Sequence, residues 1–489
     1  MESGTSSIHE PGMATRENGP MMGLPAVYER FVADAPLSVM ARALLERSLQ
    51  AGPLDQLFCE HAVLQSNETL LFSSVIDLLS RVTLRLNRSV RQAYLKNSHY
   101  RSVSLESYYG KLNRMEPQLG PALVRHSARN MDEIITAVGG TLLPWRAGYR
   151  VKILDGNHIG GTERRLKVLR PSAAAALPGQ VLAILDPQKR LFLDLIPCED
   201  AYTQERALLE QVLPGVEPND VWVADRNFCT PKFLIGIDKR HGFFAIREHG
   251  QLNIRYLTPL RVVGRSKTGM VFEQQAVVHD DQTGESVTVR RVLVGLDKPT
   301  QDGDTEVAVL SNLPEEVDAV AVANLYLERW TIEVAFGELT VVLRCEIKTL
   351  GYPRAALFSF AVAVMAANLL GGIQAVLGSV HGARVVEAEL SVFQVATDIA
   401  ETHRGMMIAI PAQQWHFWGT LSLADFVGYL RRLAENVDWK LLQKTTRGPK
   451  KPVAKKPSAS THRHVSTHRL LIQAKEARKQ ARAVQRTPS

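Results

Sequence analysis

The chain has 489 residues, 45% hydrophobic and 22% charged, a composition typical of a globular protein with more than one core. Its net charge of +8 is uneven: residues 440–489 hold 14 Lys and Arg against Glu476 alone, so this part carries +13 and the rest of the chain −5. The four cysteines are widely separated, which excludes a disulfide scaffold and a cysteine zinc site and suits a reducing cytoplasm.

The N-terminal part is predicted to be helical after a short leader. Residues 1–24 are dominated by Gly, Ser, Glu and Pro and are predicted to be disordered. Between 25 and 145, apolar residues recur at three- and four-residue spacing, as in 37–45 and 70–79. Two short predicted helices, 104–111 and 119–127, are compatible with a helix-turn-helix, but an ordinary helical bundle explains them equally well.

From position 149 the hydrophobic pattern changes to that of strands. Residues 151–154 predict a strand, and 181–186 with 191–196 predict a hairpin around Pro187. A helix over 203–213 and strands over 221–224 and 243–246 follow. Residues 252–312 alternate without helical periodicity, which predicts a β-rich insertion.

Three acidic residues occupy positions suited to chemistry. Asp155 and Asp225 each end a predicted strand, and Glu333 lies on a predicted helix. On one continuous helix, Tyr326, Arg329 and Glu333 would share a narrow stripe. A single aspartate at a strand end is more often a turn residue, but the three acids together form a constellation that can bind two divalent metal ions and cleave phosphodiesters.

Other residues near these acids are predicted to be structural. Asp186 is expected to open the hairpin turn and Asp194 to face solvent in mid-strand. Trp330 and Phe336 are expected to seat the helix in the core, and the apolar segment 355–377 is expected to be a buried core helix rather than a membrane span.

The acidic motifs also resemble those of a known family. Asp155-Gly-Asn-His, Ala224-Asp225-Arg226-Asn-Phe228 and Tyr326-x2-Arg329-x3-Glu333 are similar to the three motifs of DDE insertion-sequence transposases, in the subgroup named for its Tyr-Arg-Glu-Lys signature (the IS-four family). The resemblance covers roughly residues 100–375. It implies an α/β fold: a ribonuclease-H-like catalytic core with a β-rich insertion, flanked by N-terminal and C-terminal helical regions.

The same resemblance implies a reaction and its participants. Asp155, Asp225 and Glu333 would be the catalytic and metal-binding residues, with two Mg²⁺ ions as cofactors and Mn²⁺ as a substitute. Tyr326 and Arg329 would contact DNA phosphates. The protein would cleave the ends of its element and transfer the freed strands to target DNA. Its partners would be double-stranded DNA and, in the DNA complex, a second copy of the chain, in a bacterial cytoplasm at the nucleoid and without a membrane. The alternative is a non-catalytic DNA-binding relative, either domesticated or a repressor of transposition.

Two departures from the family pattern affect this interpretation. The signature lysine is expected at position 340, where this chain has Thr340; Arg344 would fall on the Tyr326 stripe if the helix continued, and it is predicted to supply the missing charge to DNA beside Thr340. Relatives that form DNA hairpins use an aromatic residue of the insertion, often tryptophan, to stack a flipped base. The only aromatic residues between 252 and 312 are Tyr256 and Phe272, so the hairpin mechanism stays open.

The sequence therefore predicts seven successive regions. They are a leader (1–24), a helical DNA-binding region (25–145), the first part of the core (146–251), the insertion (252–312), the second part of the core with the catalytic glutamate helix (313–378), a C-terminal helical region (379–442) and a basic tail (443–489). In the tail, a short helix is predicted over 470–484. The tail either keeps the protein in solution or binds DNA without sequence preference.

Overall fold

The computed structural model describes residues 26–163, 165–172, 174–300, 303–445 and 464–484, so the predicted leader lies outside the described residues. The N-terminal part is helical, as the spacing of its apolar residues predicts. Its helices are α1 (Glu29–Asp34), α2 (Pro36–Ser48), α3 (Ala51–His61), α4 (Phe72–Thr83), α5 (Val90–Lys96), α6 (Leu105–Asn113) and α7 (Leu119–Val138).

The central part is built on strands. They are β1 (Arg150–His158), β2 (Ala176–Leu177), β3 (Gln180–Asp186), β4 (Leu191–Cys198), β5 (Asp220–Ala224), β6 (Phe243–Arg247), β7 (Ile254–Tyr256), β8 (Arg261–Arg265), β9 (Gly269–His279), β10 (Ser286–Leu296) and β11 (Glu306–Ser311), with helix α8 (Pro231–Asp238) between β5 and β6. The predicted hairpin is confirmed, because β3 and β4 pair in antiparallel register.

Ten strands form one mixed sheet. Its order is β4-β3-β1-β5-β6-β11-β10-β9-β7, with β8 paired to β9. Strands β1, β5 and β6 are parallel, whereas β3 and β4 on one side and β11 on the other are antiparallel to their neighbours. Strands β7–β11 come from residues 252–312, so this segment continues the core sheet through the pairing of β11 with β6.

The C-terminal part is again helical. Its elements are α9 (Ala319–Leu327), α10 (Trp330–Val341), α11 (Pro353–His381), α12 (Ala383–Glu389), α13 (Val392–Ala409), α14 (Ala412–Trp415), α15 (Phe417–Thr420), α16 (Leu423–Glu435), strand β12 (Val465–Ser466) and α17 (Thr467–Val484). The helix predicted in the tail therefore exists and begins three residues earlier than expected. Residues 446–463 and 485–489 of the predicted tail lie outside the described part of the chain.

Helix α11 is the centre of the core. It is long and apolar enough to cross a membrane, but 94% of its most apolar window is buried inside the protein, as the sequence predicts for a core helix. Its polar Asn368 is fully buried and is satisfied by hydrogen bonds with the main chain of Phe192 on β4 and the hydroxyl of Ser127 on α7. Because α7 packs along both α11 and β4, the helical-bundle alternative fits the pair α6 and α7 better than a helix-turn-helix.

Two predictions about helices are wrong. The helix expected over 203–213 consists of two 3₁₀ segments, Glu205–Gln211 and Leu213–Gly215. Tyr326 and Glu333 do not share one helix either, because α9 ends at Leu327 and α10 begins at Trp330. The backbone of Glu328 and Arg329 keeps right-handed helical angles, so the break is a local turn rather than a change of direction into a loop.

Candidate active site

Asp155 and Asp225 lie side by side at the point where the parallel pairing of β1 and β5 ends. Asp225 follows β5 as predicted, but Asp155 does not end its strand, because β1 continues to His158 in pairing with β3. The residues that precede them, Leu154 and Ala224, are register partners on β1 and β5. Neighbouring strands are roughly 4.8 Å apart, and residues in register on parallel strands point to the same face. The sheet alone therefore brings together two carboxylates that are far apart in sequence.

Glu333 lies on α10, and Arg329 contacts both Glu333 and Asp155. The Arg329 Nη1 atom lies 2.6 Å from Glu333 Oε1 and 3.7 Å from Asp155 Oδ2. The two carboxylates are therefore separated by no more than the sum of those distances. Arg329 is only 11% exposed, and its Nε has no hydrogen-bond partner among the described residues although it is buried.

Tyr326 connects Asp225 to the same cluster. Its hydroxyl donates to Asp225 Oδ1 at 3.4 Å, and the residue is 8% exposed. Burial and the adjacent Asp225 charge raise the pKa of Tyr326, so the hydroxyl stays protonated and remains a donor. Burial by itself would lower the pKa of Arg329, but Tyr326, Glu333 and Asp225 raise it overall, which keeps the guanidinium charged.

Burial dominates the electrostatics of Asp155. Burial raises the pKa of Asp155 to about 6; the Gly156 N–H, which donates to Asp155 Oδ1 at 2.9 Å, and Arg329 oppose this shift, whereas Glu205 and Glu333 add to it. Glu205 is a fourth acid that the sequence analysis missed. Its carboxylate lies against Gly156, where any Cβ would collide with it, and it accepts a hydrogen bond from Asn227 at 3.3 Å.

The carboxylates of this cluster are of the type that binds a divalent cation, but they are not arranged as a complete set of metal ligands. Among the described residues, no three acidic, histidine or cysteine side chains stand close enough to hold a metal ion. Arg329 lies between Asp155 and Glu333 and places a positive charge beside both. The donor set is nevertheless made of carboxylate oxygens, which Mg²⁺ prefers, and the raised pKa of Asp155 shows that more positive charge would be favourable.

Four residues were predicted to be structural: Asp186 and Phe336 behave as expected, whereas Asp194 and Trp330 do not. Asp186 accepts hydrogen bonds from the N–H groups of the hairpin turn, as predicted. Asp194 does not simply face solvent, because it forms an ion pair with Arg125 of α7 at 2.8 Å. Trp330, predicted to be a core residue, is 55% exposed beside the acids, with the Arg329 guanidinium 5.2 Å from its ring centroid. Phe336 is partly buried and stacks on Phe192.

The helical stripe predicted to place Arg344 near the acids is wrong, because α10 ends at Val341. Arg85 binds the carbonyl oxygens of Thr340, Val341 and Leu343 at 2.9–3.3 Å and so caps the end of that helix. Beyond it, the Arg344 Nη1 atom donates to the carbonyl oxygen of Arg88 at 2.6 Å, so its guanidinium joins the core to the N-terminal helices.

Thr340 is exposed on the last turn of α10. Its hydroxyl donates to the carbonyl oxygen of Phe336 at 3.1 Å, within its own helix. The structure thus brings together Asp155, Asp225, Tyr326, Arg329 and Glu333, and it does not bring Arg344 to them.

A comparison with known protein families agrees with this chemistry. Residues 146–369, which contain all three acids, match the family model of the transposase DDE domain. Among solved structures, the chain is similar to the cryo-EM structure of the piggyBac transposase synaptic complex with hairpin DNA, at 10% identity and a TM-score of 0.37 over 87% of this chain and 88% of that one. No curated protein sequence matches the chain. The family match does not favour the alternative of a non-catalytic DNA-binding protein. Residues 146–369 are therefore a DDE transposase domain, and the protein is a DNA transposase.

Proposed function

We propose that Asp155, Asp225 and Glu333 are the carboxylates with which this transposase cuts the ends of its element and joins them to target DNA. The observation that carries the proposal is the pairing of Leu154 with Ala224, which places both aspartates at one sheet edge, together with the Arg329 contacts that hold Glu333 beside Asp155. Phosphodiester cleavage of this type needs such a cluster of hard oxygen ligands around the attacked phosphorus.

A ribonuclease-H-like core is the second part of the proposal. In its support, the sheet order β4-β3-β1-β5-β6 joins an antiparallel hairpin to three parallel strands, and the last acid comes from a helix later in the chain. The Tyr326, Arg329 and Glu333 spacing supports membership of the Tyr-Arg-Glu-Lys subgroup. The chain departs from that subgroup at Thr340, and a residue that replaces the lysine would have to come from outside α10.

DDE transposases use divalent metal ions, and we propose two Mg²⁺ ions held by Asp155, Asp225 and Glu333. When bound, the ions would activate a water or a 3′ hydroxyl and stabilise the leaving 3′ oxygen. Asp155 and Glu333 would hold the ions as carboxylates, and Arg329, which contacts both, would have to move away from them. The buried, unpartnered Nε of Arg329 then suits a DNA phosphate, which a guanidinium binds through two parallel hydrogen bonds. Tyr326 keeps Asp225 in position by its hydrogen bond.

The DNA complex is proposed to contain two copies of the chain in a bacterial cytoplasm, since two element ends must be cut and joined together. The N-terminal helices are proposed to read the ends. Tyr326 is nearly buried and already bonded to Asp225, so its contribution to DNA binding would come mainly through Arg329 beside it.

Incubation with Mg²⁺ and DNA from the boundaries of its own element tests the proposal. We expect cleavage at the element ends by the parent and none by Asp155→Ala, Asp225→Ala or Glu333→Ala, with DNA affinity measured in EDTA nearly unchanged. Asp186→Ala is the matched control, because this acid stabilises a turn of the same sheet and should retain cleavage when folded. Cleavage by any of the three alanine variants would overturn the assignment of that residue.

A further inference from the structure

Residues 464–484 dock on the surface of the domain that carries the candidate acids. Strand β12 pairs in parallel with β2, with Val465 opposite Ala176 and Ser466 opposite Leu177. Helix α17 follows directly. The sequence left open whether the tail keeps the protein in solution or binds DNA; residues 464–484 dock on the protein through main-chain and side-chain contacts.

The docking depends on two acids at the end of β4. Asp200 accepts hydrogen bonds from Ser466 Oγ and Arg469 Nε, both at 2.7 Å. Burial would raise the pKa of Asp200, but these two bonds and the N–H of Tyr202 lower it overall, so the anchor is ionised at neutral pH. Beside it, Glu199 pairs with Arg354 at 2.9 Å and His468 at 3.5 Å.

A basic groove opens between α17 and the 3₁₀ turn Lys167–Leu169, with a volume of about 390 Å³. Apolar residues such as Leu166 and Leu471 form part of its lining. The charged residues that line it are all cations: Lys167 on one side and Lys475, Arg478 and Lys479 on the other. Lys475, Arg478 and Lys479 share one face of α17, whereas the only acid of that helix, Glu476, lies off this face.

These cations are available to a ligand. Lys167, Lys475, Arg478 and Lys479 are exposed, and within the described part of the chain none of them forms a salt bridge with an acid. Tyr352, which is 38% exposed and occupies the N-cap position of α11, also lines the groove. Four unneutralised cations around one open groove attract a polyanion rather than a single small acid.

Two of the lining residues, Lys167 and Tyr352, follow in sequence from elements that carry the candidate acids. The loop after β1, which bears Asp155, leads to Lys167, and the segment after α10, which bears Glu333, leads to Tyr352. The two segments are joined where the Gly160 N–H donates to Glu346 Oε1 and the Glu163 N–H donates to the Lys348 carbonyl oxygen, both at 2.8 Å. The groove is therefore connected, through these two bonded segments, to the strand that bears Asp155 and the helix that bears Glu333.

We propose that this groove, formed by Lys167, Tyr352, Lys475, Arg478 and Lys479, binds the backbone phosphates of duplex DNA next to the cleavage site. The proposal rests on the function proposed above and adds a contact surface to it. Flexible cationic side chains match phosphates along a backbone and carry no base-specific geometry, so the groove should strengthen binding to all sequences equally. Its strength depends on α17 being docked, since only docking places three cations opposite Lys167.

The test measures binding of the full chain to a fluorescent duplex over a range of salt concentrations in EDTA, so that catalysis plays no part. In the triple variant Lys475→Gln, Arg478→Gln, Lys479→Gln, the slope of log K against log salt should become shallower by about 2 to 3, near 0.9 for each lost phosphate contact. Glu476→Gln is the matched control on the same helix and should keep the parental slope. A parental slope in the triple variant would overturn the proposal.

A second variant separates a docked groove from a mobile basic tail. Asp200→Ala removes the anchor and makes the chain more positive by one charge. If docking positions the cations, this variant should bind the duplex more weakly than the parent; a mobile tail would bind as tightly or more tightly, which would refute the groove. Asp155→Ala should bind the duplex like the parent. A failure of the catalytic assignment would therefore appear in the cleavage assay, and a failure of the groove proposal would appear in the binding assay.

Discussion

Replacing Asp155 by asparagine should stabilise the metal-free protein while it abolishes cleavage. Burial, with the charges of Glu205 and Glu333, raises the pKa of Asp155 from 3.8 to about 6. Because the folded-state pKa lies above the unfolded one, the favourable contribution of the protonated carboxyl is complete below pH 3.8 and is lost as the pH rises through about 6. At 1.36 kcal/mol per pKa unit, the ionised Asp155 lowers the free energy of unfolding at pH 7.5 by about 3 kcal/mol.

Asparagine has the same shape, still accepts the Gly156 N–H and carries no charge, so Asp155→Asn should recover up to about 3 kcal/mol at pH 7.5 and almost nothing near pH 4. Urea unfolding in EDTA measures this, followed by the fluorescence of the tryptophans, of which Trp222 is fully buried on the neighbouring strand β5. The control Glu210→Gln breaks only an exposed pair with Lys232 and should change stability by less than about 1 kcal/mol at either pH. An equal gain at both pH values, or a loss at pH 7.5, would refute the reasoning.

Three further predictions concern Glu205, Asp220 and Arg344. Glu205→Gln should move the acid limb of the cleavage rate to lower pH, because the Glu205 charge raises the pKa of Asp155; a pH–rate profile with an unmoved limb would argue against this. Asp220→Ala should lower the free energy of unfolding by about 3 to 5 kcal/mol, because Asp220 is fully buried and its loss leaves Lys152 without a carboxylate; urea unfolding checks this, and a loss below about 1 kcal/mol would contradict it. Arg344→Ala should lower the thermal unfolding temperature but keep the cleavage rate of bound DNA, since its guanidinium binds main-chain oxygens; a tenfold or greater loss of that rate would restore its predicted role at DNA.

Local patterns in the sequence were sufficient for much of the fold. Two short apolar runs, 181–186 and 191–196, separated by a turn at Pro187, predicted a hairpin that the structure contains, and the continuous apolar run of the first matches the burial of β3. The spacing of apolar residues over 37–45 and 70–79 predicted α2 and α4 in the same way. Asp155, Asp225 and Glu333 pointed to a transposase because each acid lies in a short motif, and a short motif can be recognised from a few consecutive residues.

Local sequence patterns did not predict where helices end or what surrounds each side chain. The predicted stripe of Tyr326, Glu333 and Arg344 assumed one unbroken helix, whereas α10 begins at Trp330 and ends where Arg85, distant in sequence, binds its last carbonyl groups. A residue that caps a helix from another element leaves no sign in the helix itself.

By itself, the sequence predicted most of the elements, their order and the three candidate acids, since these depend on neighbours along the chain. Only the tertiary structure decided that Leu154 pairs with Ala224, that Glu205 lies against Gly156 and that the basic end of the chain docks through Asp200. Each of these depends on contacts between residues far apart in sequence, and the geometry and charge of such contacts exist only once the sheet and helices have packed together.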